Sequence, residues 1–244
     1  MKTPIVLAHG MLGLAQAFIQ DLQLADYFKG IPDWLKENGC KVITPQVEGI
    51  GSIKTRAANL KRQITEATDE PVHIIAHSQG GLDSRHMISH LEMADHVRSL
   101  TTIATPHRGS PVADWAISRT QQIGIFKMLE WSSMDTQAFL DLRTTECAAF
   151  NEKTPDAEGI KYLSVAGEPK REQTLWSLRM CHDVVFEAEG PNDGLVSSQS
   201  ARWGEEVIIW AADHAQQIGW FNDPSFDWQD GWEDILKRLT TMEE

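Results

Sequence analysis

Cysteine is scarce in this 244-residue chain. Cys40, Cys147 and Cys181 are odd in number and widely spaced. That excludes a disulfide framework and a cysteine metal motif, and leaves room for one bridge, between Cys147 and Cys181. Reduced thiols fit a cytosolic chain slightly better. Long apolar runs are missing too. No segment approaches the roughly 18 consecutive apolar residues of a membrane helix, so no integral membrane segment is expected. Positive charge is in short supply, with 22 Lys and Arg against 35 Asp and Glu and a net charge of −13. Such a balance argues against a nucleic-acid partner and against electrostatic docking on anionic lipid. Internal repeats and low-complexity linkers are absent, and the length suits a single domain over 1–244. The opening "MKTPIVLAHG" runs straight into a short apolar strand, leaving no room for a signal peptide. A cytoplasmic protein is expected, or a secreted one if a leader has been removed.

What the chain has is an alternation of short apolar runs with amphipathic ones, on a hydrophobic content of 41%. Ile5–Ala8, "CKVITP", "VHIIA", "LTTIAT", "KYLSVA" and "EVIIWA" read as strands, β-branched and apolar along most of their length. Strands of that kind are covered on both faces, as in a parallel sheet. Between them, Pro32 opens a helix that Asn38-Gly39 closes. Ser52 caps another, with Ile53, Ala57, Leu60, Ile64 and Ala67 on one face. A last helix from Asp227 carries Trp228, Trp232, Ile235, Leu239 and Met242 on one face. The pattern predicts a doubly wound, mostly parallel α/β sheet of about six strands. Residues 111–156 interrupt the alternation with helical character and apolar side chains from Trp115 to Trp131. They read as an insertion over the carboxyl ends of the strands; two ordinary core helices are the alternative.

The chemistry centres on "HIIAHSQGGLDSRH", His73 to His86. Ser78 directly follows a strand and precedes a helix, the context of a nucleophile elbow, although Ala76 stands where Gly-x-Ser-x-Gly has its first glycine. The elbow crowds strand against helix two residues before and two after the serine, so Ala76 and Gly80 meet the requirement for small side chains. The alternative is a plain helix N-cap. A hydroxyl nucleophile needs a base, and the base needs an acid to hold its tautomer. Of the nine histidines, His214 alone follows the last strand, in "AADHAQ". "GPNDGLV" offers Asp193 in a tight turn ahead of an apolar pair; Asp183 in "CHDVV" is the second candidate. An oxyanion needs donors: the backbone N–H of Gln79 after the nucleophile, and that of Met11 in "AHGMLG" after the first strand.

These residues carry a resemblance. The stretches "PIVLAHGMLG", "DYFKGIPDWLKENGCKVITP", "VHIIAHSQGGLDSRHMIS", "TTIATPHRGSPVADW", "TTECAAFNEKTPD", "GPNDGLVS" and "DHAQQIGW" are collinear from Pro4 to Trp220. Together they resemble the bacterial triacylglycerol lipases of the α/β-hydrolase superfamily and related lipase-like hydrolases. The resemblance implies an α/β-hydrolase fold with Ser78 as nucleophile, Asp193 as acid, His214 as base, and Met11 and Gln79 as oxyanion donors. It implies a helical lid or cap inserted after "TPHRGS", at about 111–156, and casts His107 and Arg108 as structural supports. Some lipases of this group hold calcium through an aspartate two residues beyond the catalytic histidine. Gln216 stands there in this chain, so no calcium is expected at that site, and the zinc pattern of another branch is also missing.

The expected activity is therefore carboxylic ester hydrolysis, as a lipase or esterase on acyl esters, with no cofactor and with transient contact to a lipid interface. The same triad could serve a polyester or a phospholipid. A non-catalytic α/β-hydrolase-fold binder of acyl ligands or of protein is the reading from another class.

Overall fold

The structure is a computed structural model that describes residues 2–11, 26–123, 137–221 and 223–243. Its frame is a six-stranded sheet in the order β2-β1-β3-β4-β5-β6. The strands are β1 (Ile5–Ala8), β2 (Val42–Ile43), β3 (Val72–His77), β4 (Val97–Ile103), β5 (Lys161–Gly167) and β6 (Glu206–Trp210). Every pairing is parallel, where the sequence suggested only mostly parallel. β1 and β3 are buried at every position. Their largely apolar character, broken in β3 by His73 and His77, follows from helices lying on both faces.

Alternation along the strands feeds two cores. Ile5, Leu7 and Ile75 join Ile31, Leu35, Trp232, Ile235 and Leu239 on one face. Val6, Ala8, Ile74 and Ala76 join Ala57, Leu60, Ile64 and Met87 on the other. The first face is covered by α1 (Ile31–Glu37), with Pro32 in its first turn and Gly39 beyond its end at φ 78°, and by α9 (Trp228–Thr241), capped by Asp227. The second is covered by α2 (Ile53–Ala67), whose cap Ser52 accepts from the Thr55 N–H, and α3 (Gln79–His90). Among the described residues, the remaining α-helices are α4 (Pro111–Ile123), α5 (Gln137–Asp141), α6 (Thr144–Lys153), α7 (Arg179–Glu189) and α8 (Ser198–Ala201). The strand order reverses direction between β1 and β3. In such sheets this switch point opens a crevice at the carboxyl ends of the strands.

Several expectations need correction. The strand in "CKVITP" shrinks to Val42 and Ile43 at the sheet edge. Ala67 is exposed on α2, and Arg56 is buried in its place among the apolar positions. Cys40, Cys147 and Cys181 are all free and buried, so no Cys147–Cys181 bridge forms. The latter two sit in separate apolar clusters, and the Cys147 thiol turns to the Asp141 carbonyl at 3.2 Å. Within the predicted insertion, α4, α5 and α6 are helical; Ile125, Phe126, Met128, Leu129 and Trp131 lie outside the described residues.

Burial keeps several histidines neutral. It holds His9 down to about 4, helped by the charge of Arg56, lowers His73, and holds His77 and His107 well below the usual range. In the unfolded chain these four take up protons below about pH 6.5, so the unfolded state binds more protons there and stability falls with pH. Asp83, pushed up to about 7, and Asp213, also raised, oppose this because the folded state gains their protons first. With His86, which burial also lowers, five histidines outweigh the two carboxyls. The urea midpoint is expected to drop between about pH 7 and about pH 5; a rise would contradict this assignment.

Candidate active site

β3 delivers Ser78 at its carboxyl end with φ 54° and ψ −132°. A non-glycine residue there costs about 1–3 kcal/mol, so the surroundings must impose it. The Ser78 N–H donates to the Ile103 carbonyl at 2.9 Å. Its own carbonyl accepts from Thr105 Oγ1 at 2.8 Å and from the Gly81 N–H at 3.1 Å. α3 then passes directly over β1. A Cβ at Gly80 would lie 2.5 Å from the Ala8 carbonyl oxygen and 2.7 Å from that of His9; one at Gly81 would lie 2.1 Å from Thr105 Oγ1. Ala76 is fully buried and pairs with Ala8 and Thr102 in the sheet. The serine occupies the N-cap position of α3 but its side chain makes no cap hydrogen bond, which counts against the plain N-cap reading.

His214 follows β6, and its Nδ1–H donates to Asp193 Oδ2 at 2.7 Å. The other carboxylate oxygen accepts from the N–H groups of Leu195 at 3.0 Å and Val196 at 2.8 Å. That is the turn geometry the "NDGLV" sequence suggests. The His214 N–H donates to the Asp193 carbonyl at 2.9 Å, clipping the two loops together. Gly167 ends β5 against this pair; a Cβ there would sit 2.7 Å from Asp193 Cβ. α7 intervenes between the end of β5 and Asp193. Asp183 is exposed on α7 and bonds Arg171 at 2.6 and 2.8 Å, away from the serine.

Ser78 and His214 face one small cavity of about 40 Å³, walled by Pro106, Ser110, Val112, Ala113, Ala116, Phe139, Leu142, Leu195 and Val196. Larger clefts of about 650 Å³ beside Trp203 and about 380 Å³ beside His86 contain none of Ser78, Asp193 and His214. Their size reflects open surface grooves, whereas Ser78 and His214 share the smaller apolar cavity. Gln79 is the first residue of α3, where backbone N–H groups lack helical partners, and its side chain is anchored on the Gly51 carbonyl at 2.9 Å. Met11 is buried just beyond Gly10. A Cβ at Gly10 would come within 2.6 Å of Ser78 Cβ, so this loop backbone lies against the serine.

Two buried polar groups beneath the site escaped the sequence reading. Arg56 donates through Nε to Asp83 Oδ2 at 2.8 Å and through Nη2 to the carbonyls of His9 at 2.6 Å and Gly10 at 3.3 Å. Both members of the pair are buried, at 0% and 1% side-chain exposure. The guanidinium thus grips the loop that carries Met11. Burial pushes the Asp83 carboxyl up to about 7 against the opposing pull of Arg56. The available signal was a charge on the apolar face of α2, between Ile53 and Leu60. The Tyr27 hydroxyl and His77 Nδ1 share a hydrogen bond of 2.8 Å, and the His77 ring packs with its centroid 4.4 Å from that of His214. His107 and Arg108 face away from the cavity. His107 bonds Thr102 Oγ1 at 3.0 Å and stacks on Trp203, and Arg108 ties down the Gln199 and Arg202 carbonyls.

The loop after His214 does not fit calcium. Gln216 Oε1 accepts from the Asp213 N–H at 2.8 Å, and the Asp213 carboxylate is occupied by the N–H groups of Leu175, Ala215 and Gln216. Among the described residues, no three His, Cys, Asp or Glu side chains gather as a metal site.

The family model described as palmitoyl protein thioesterase matches residues 4–134, a span that includes Met11, Ser78 and Gln79. Triacylglycerol lipase 2 of Saccharomyces cerevisiae is 31% identical over 93% of this chain and 83% of its own. The chain belongs to the lipase-like α/β-hydrolases. A triacylglycerol lipase of Vibrio cholerae is 29% identical over 84% of this chain and 76% of its own. The crystal structure of the mature Bacillus licheniformis lipase BlEst2 superposes with a TM-score of 0.68 at 24% identity, covering 89% of this chain and 86% of that one. The protein is a serine ester hydrolase.

In this hydrolase, Arg56→Met leaves Asp83 buried without its partner and the His9 and Gly10 carbonyls without their donor. It is expected to cost about 3–5 kcal/mol of stability and roughly tenfold or more in kcat at little change in KM. Urea unfolding and ester hydrolysis check the two effects, and an unaltered kcat in a folded variant would contradict the grip on the Met11 loop.

Proposed function

We propose that the hydrolase cleaves acyl esters of lipid-like character through Ser78, His214 and Asp193 and an acyl-enzyme intermediate. The observation that carries this reading is the 2.7 Å Asp193–His214 hydrogen bond at a cavity that Ser78 shares. Ser78 Oγ attacks the ester carbonyl carbon while His214 Nε2 takes the hydroxyl proton, and Asp193 holds the imidazolium. The backbone N–H groups of Met11 and Gln79 receive the oxyanion. Collapse of the tetrahedral species breaks the carbon–alkoxy bond, and His214 returns the proton to the departing alcohol. Water then attacks the acyl-serine by the same path and releases the acid. No cofactor enters these steps.

The acyl chain is read into the apolar wall of Val112, Ala113, Ala116, Phe139 and Leu142. The helices α4, α5 and α6 would then be a cap over the site. Trp176 and Met180, 78% and 58% exposed, stand at the start of α7, whose Leu178 clusters with Val112 of the cap. They support transient contact with a lipid interface, and the net charge of −13 favours an uncharged one. Among the described residues, no helix is long and apolar enough to cross a membrane. The free buried thiols support a cytoplasmic location.

The test is a series of p-nitrophenyl esters of rising acyl length, with and without a lipid emulsion. Hydrolysis is expected to fall roughly a thousandfold or more in Ser78→Ala, and Ala116→Phe is expected to shorten the longest acyl chain accepted. Turnover that survives in Ser78→Ala would sink the mechanism. Acyl-ligand binding without turnover by folded wild type would favour the binder.

A further inference from the structure

Gln217 is fully buried one turn beyond His214, and the hydrolytic steps assign it no role. Its side-chain amide spends both hydrogens beneath the site. Nε2 donates to Asp193 Oδ2 at 3.3 Å and to the Ala212 carbonyl at 3.2 Å. Asp193 Oδ2 is the oxygen that accepts from His214 Nδ1. The Gln217 backbone is locked from both sides: its N–H donates to the Asp213 carbonyl at 3.2 Å, and its carbonyl accepts from Trp232 Nε1 of α9 at 2.9 Å. The space it occupies exists because residue 167 lacks a side chain, since a Cβ there would lie 2.2 Å from Gln217 Nε2.

We infer that Gln217 is a positioning residue that sets how strongly Asp193 holds the proton on His214. The inference rests on the triad proposed above. A carboxylate oxygen that accepts two hydrogen bonds shares its charge between them, so each pull is weaker than with one. The amide also fixes the carboxylate plane toward the His214 ring, as outer partners do for other ligating or catalytic groups. Glutamine suits this position because its amide offers two donors at any pH, to Asp193 Oδ2 and to the Ala212 carbonyl, whereas glutamate would offer one, and only while protonated. Other titratable groups face the pair. Asp213 on the same loop is satisfied by three backbone N–H groups and raised by burial; His77, from β3, is kept neutral by burial and packs on the His214 ring.

The sign of the effect follows. Removing the amide leaves Asp193 Oδ2 to pull on His214 alone, which favours the imidazolium, so more alkaline conditions are needed to free the base. The kcat/KM profile on a soluble p-nitrophenyl ester is measured for wild type, Gln217→Met and Gln217→Glu, with thermal unfolding in parallel. The acid limb is expected to move to higher pH by about half a unit in the Met variant and by less in the Glu variant, whose protonated carboxyl still donates to Asp193. kcat should fall about tenfold and KM stay within about twofold. In the wild type, the Gln217 side-chain amide resonances are expected to titrate with the acid limb, a readout that stands even if a variant fails to fold. Variants that lose only thermal stability while the limb stays put would overturn the inference and leave the triad intact, as would amide resonances that ignore the titration. Wild-type turnover that does not depend on Ser78 would remove the triad reading first and this inference with it.

Discussion

The close pass of α3 over β1 is the constraint on which the site depends. At Gly80 the helix backbone leaves no space for even a Cβ against the Ala8 and His9 carbonyls. That approach forces the turn between β3 and α3, and the turn forces Ser78 into φ 54°. The strain is held by bonds from Ser78 to β4 and the loop after it, through Ile103 and Thr105. It is offset by the two apolar cores on either side of the sheet, not by anything local. The same contact presses the Gly10 backbone onto Ser78, so Ser78 and the Met11 loop are placed by one packing event.

Beneath that contact the molecule accepts an unusual load of buried polarity. Arg56, Asp83, His9, Tyr27 and His77 form a layer under the Met11 loop and the His214 ring. A buried charge pair is a poor source of stability, because desolvation offsets most of its attraction. Its use here is geometric: it fixes two carbonyls of a loop that has no regular secondary structure. Neutral histidines and a single guanidinium give rigidity without placing a second cation beside the imidazolium that the proposed chemistry generates.

The legible parts of the fold were those fixed by period and punctuation. The six apolar runs became six strands, the central ones buried on both faces, and the caps Ser52 and Asp227 start their helices where the sequence placed them. Asp193 and His214 could be read because a tight turn and a post-strand loop each leave a local pattern. Ala76 was legible as a packing allowance: it is fully buried in the sheet, and the absolute demand for glycine falls on Gly80. What stayed hidden were partnerships over long sequence distances. Arg56 with Asp83, Tyr27 with His77 and Gln217 with Asp193 have no motif, and each becomes visible only when topology brings two elements together. The path from β5 to Asp193 was hidden for a related reason. α7 is an excursion that returns to the strand end, and only the contact with Gly167 reveals the return.

The central claim is that the strained residue at the end of β3 is the nucleophile. Its most direct test is the site of covalent attachment of a fluorophosphonate, located by peptide mass spectrometry on the folded protein. The account predicts a single adduct on the Ser78 peptide, absent from Ser78→Ala and slowed in His214→Ala. An unlabelled folded protein, or an adduct on any other residue, would contradict it.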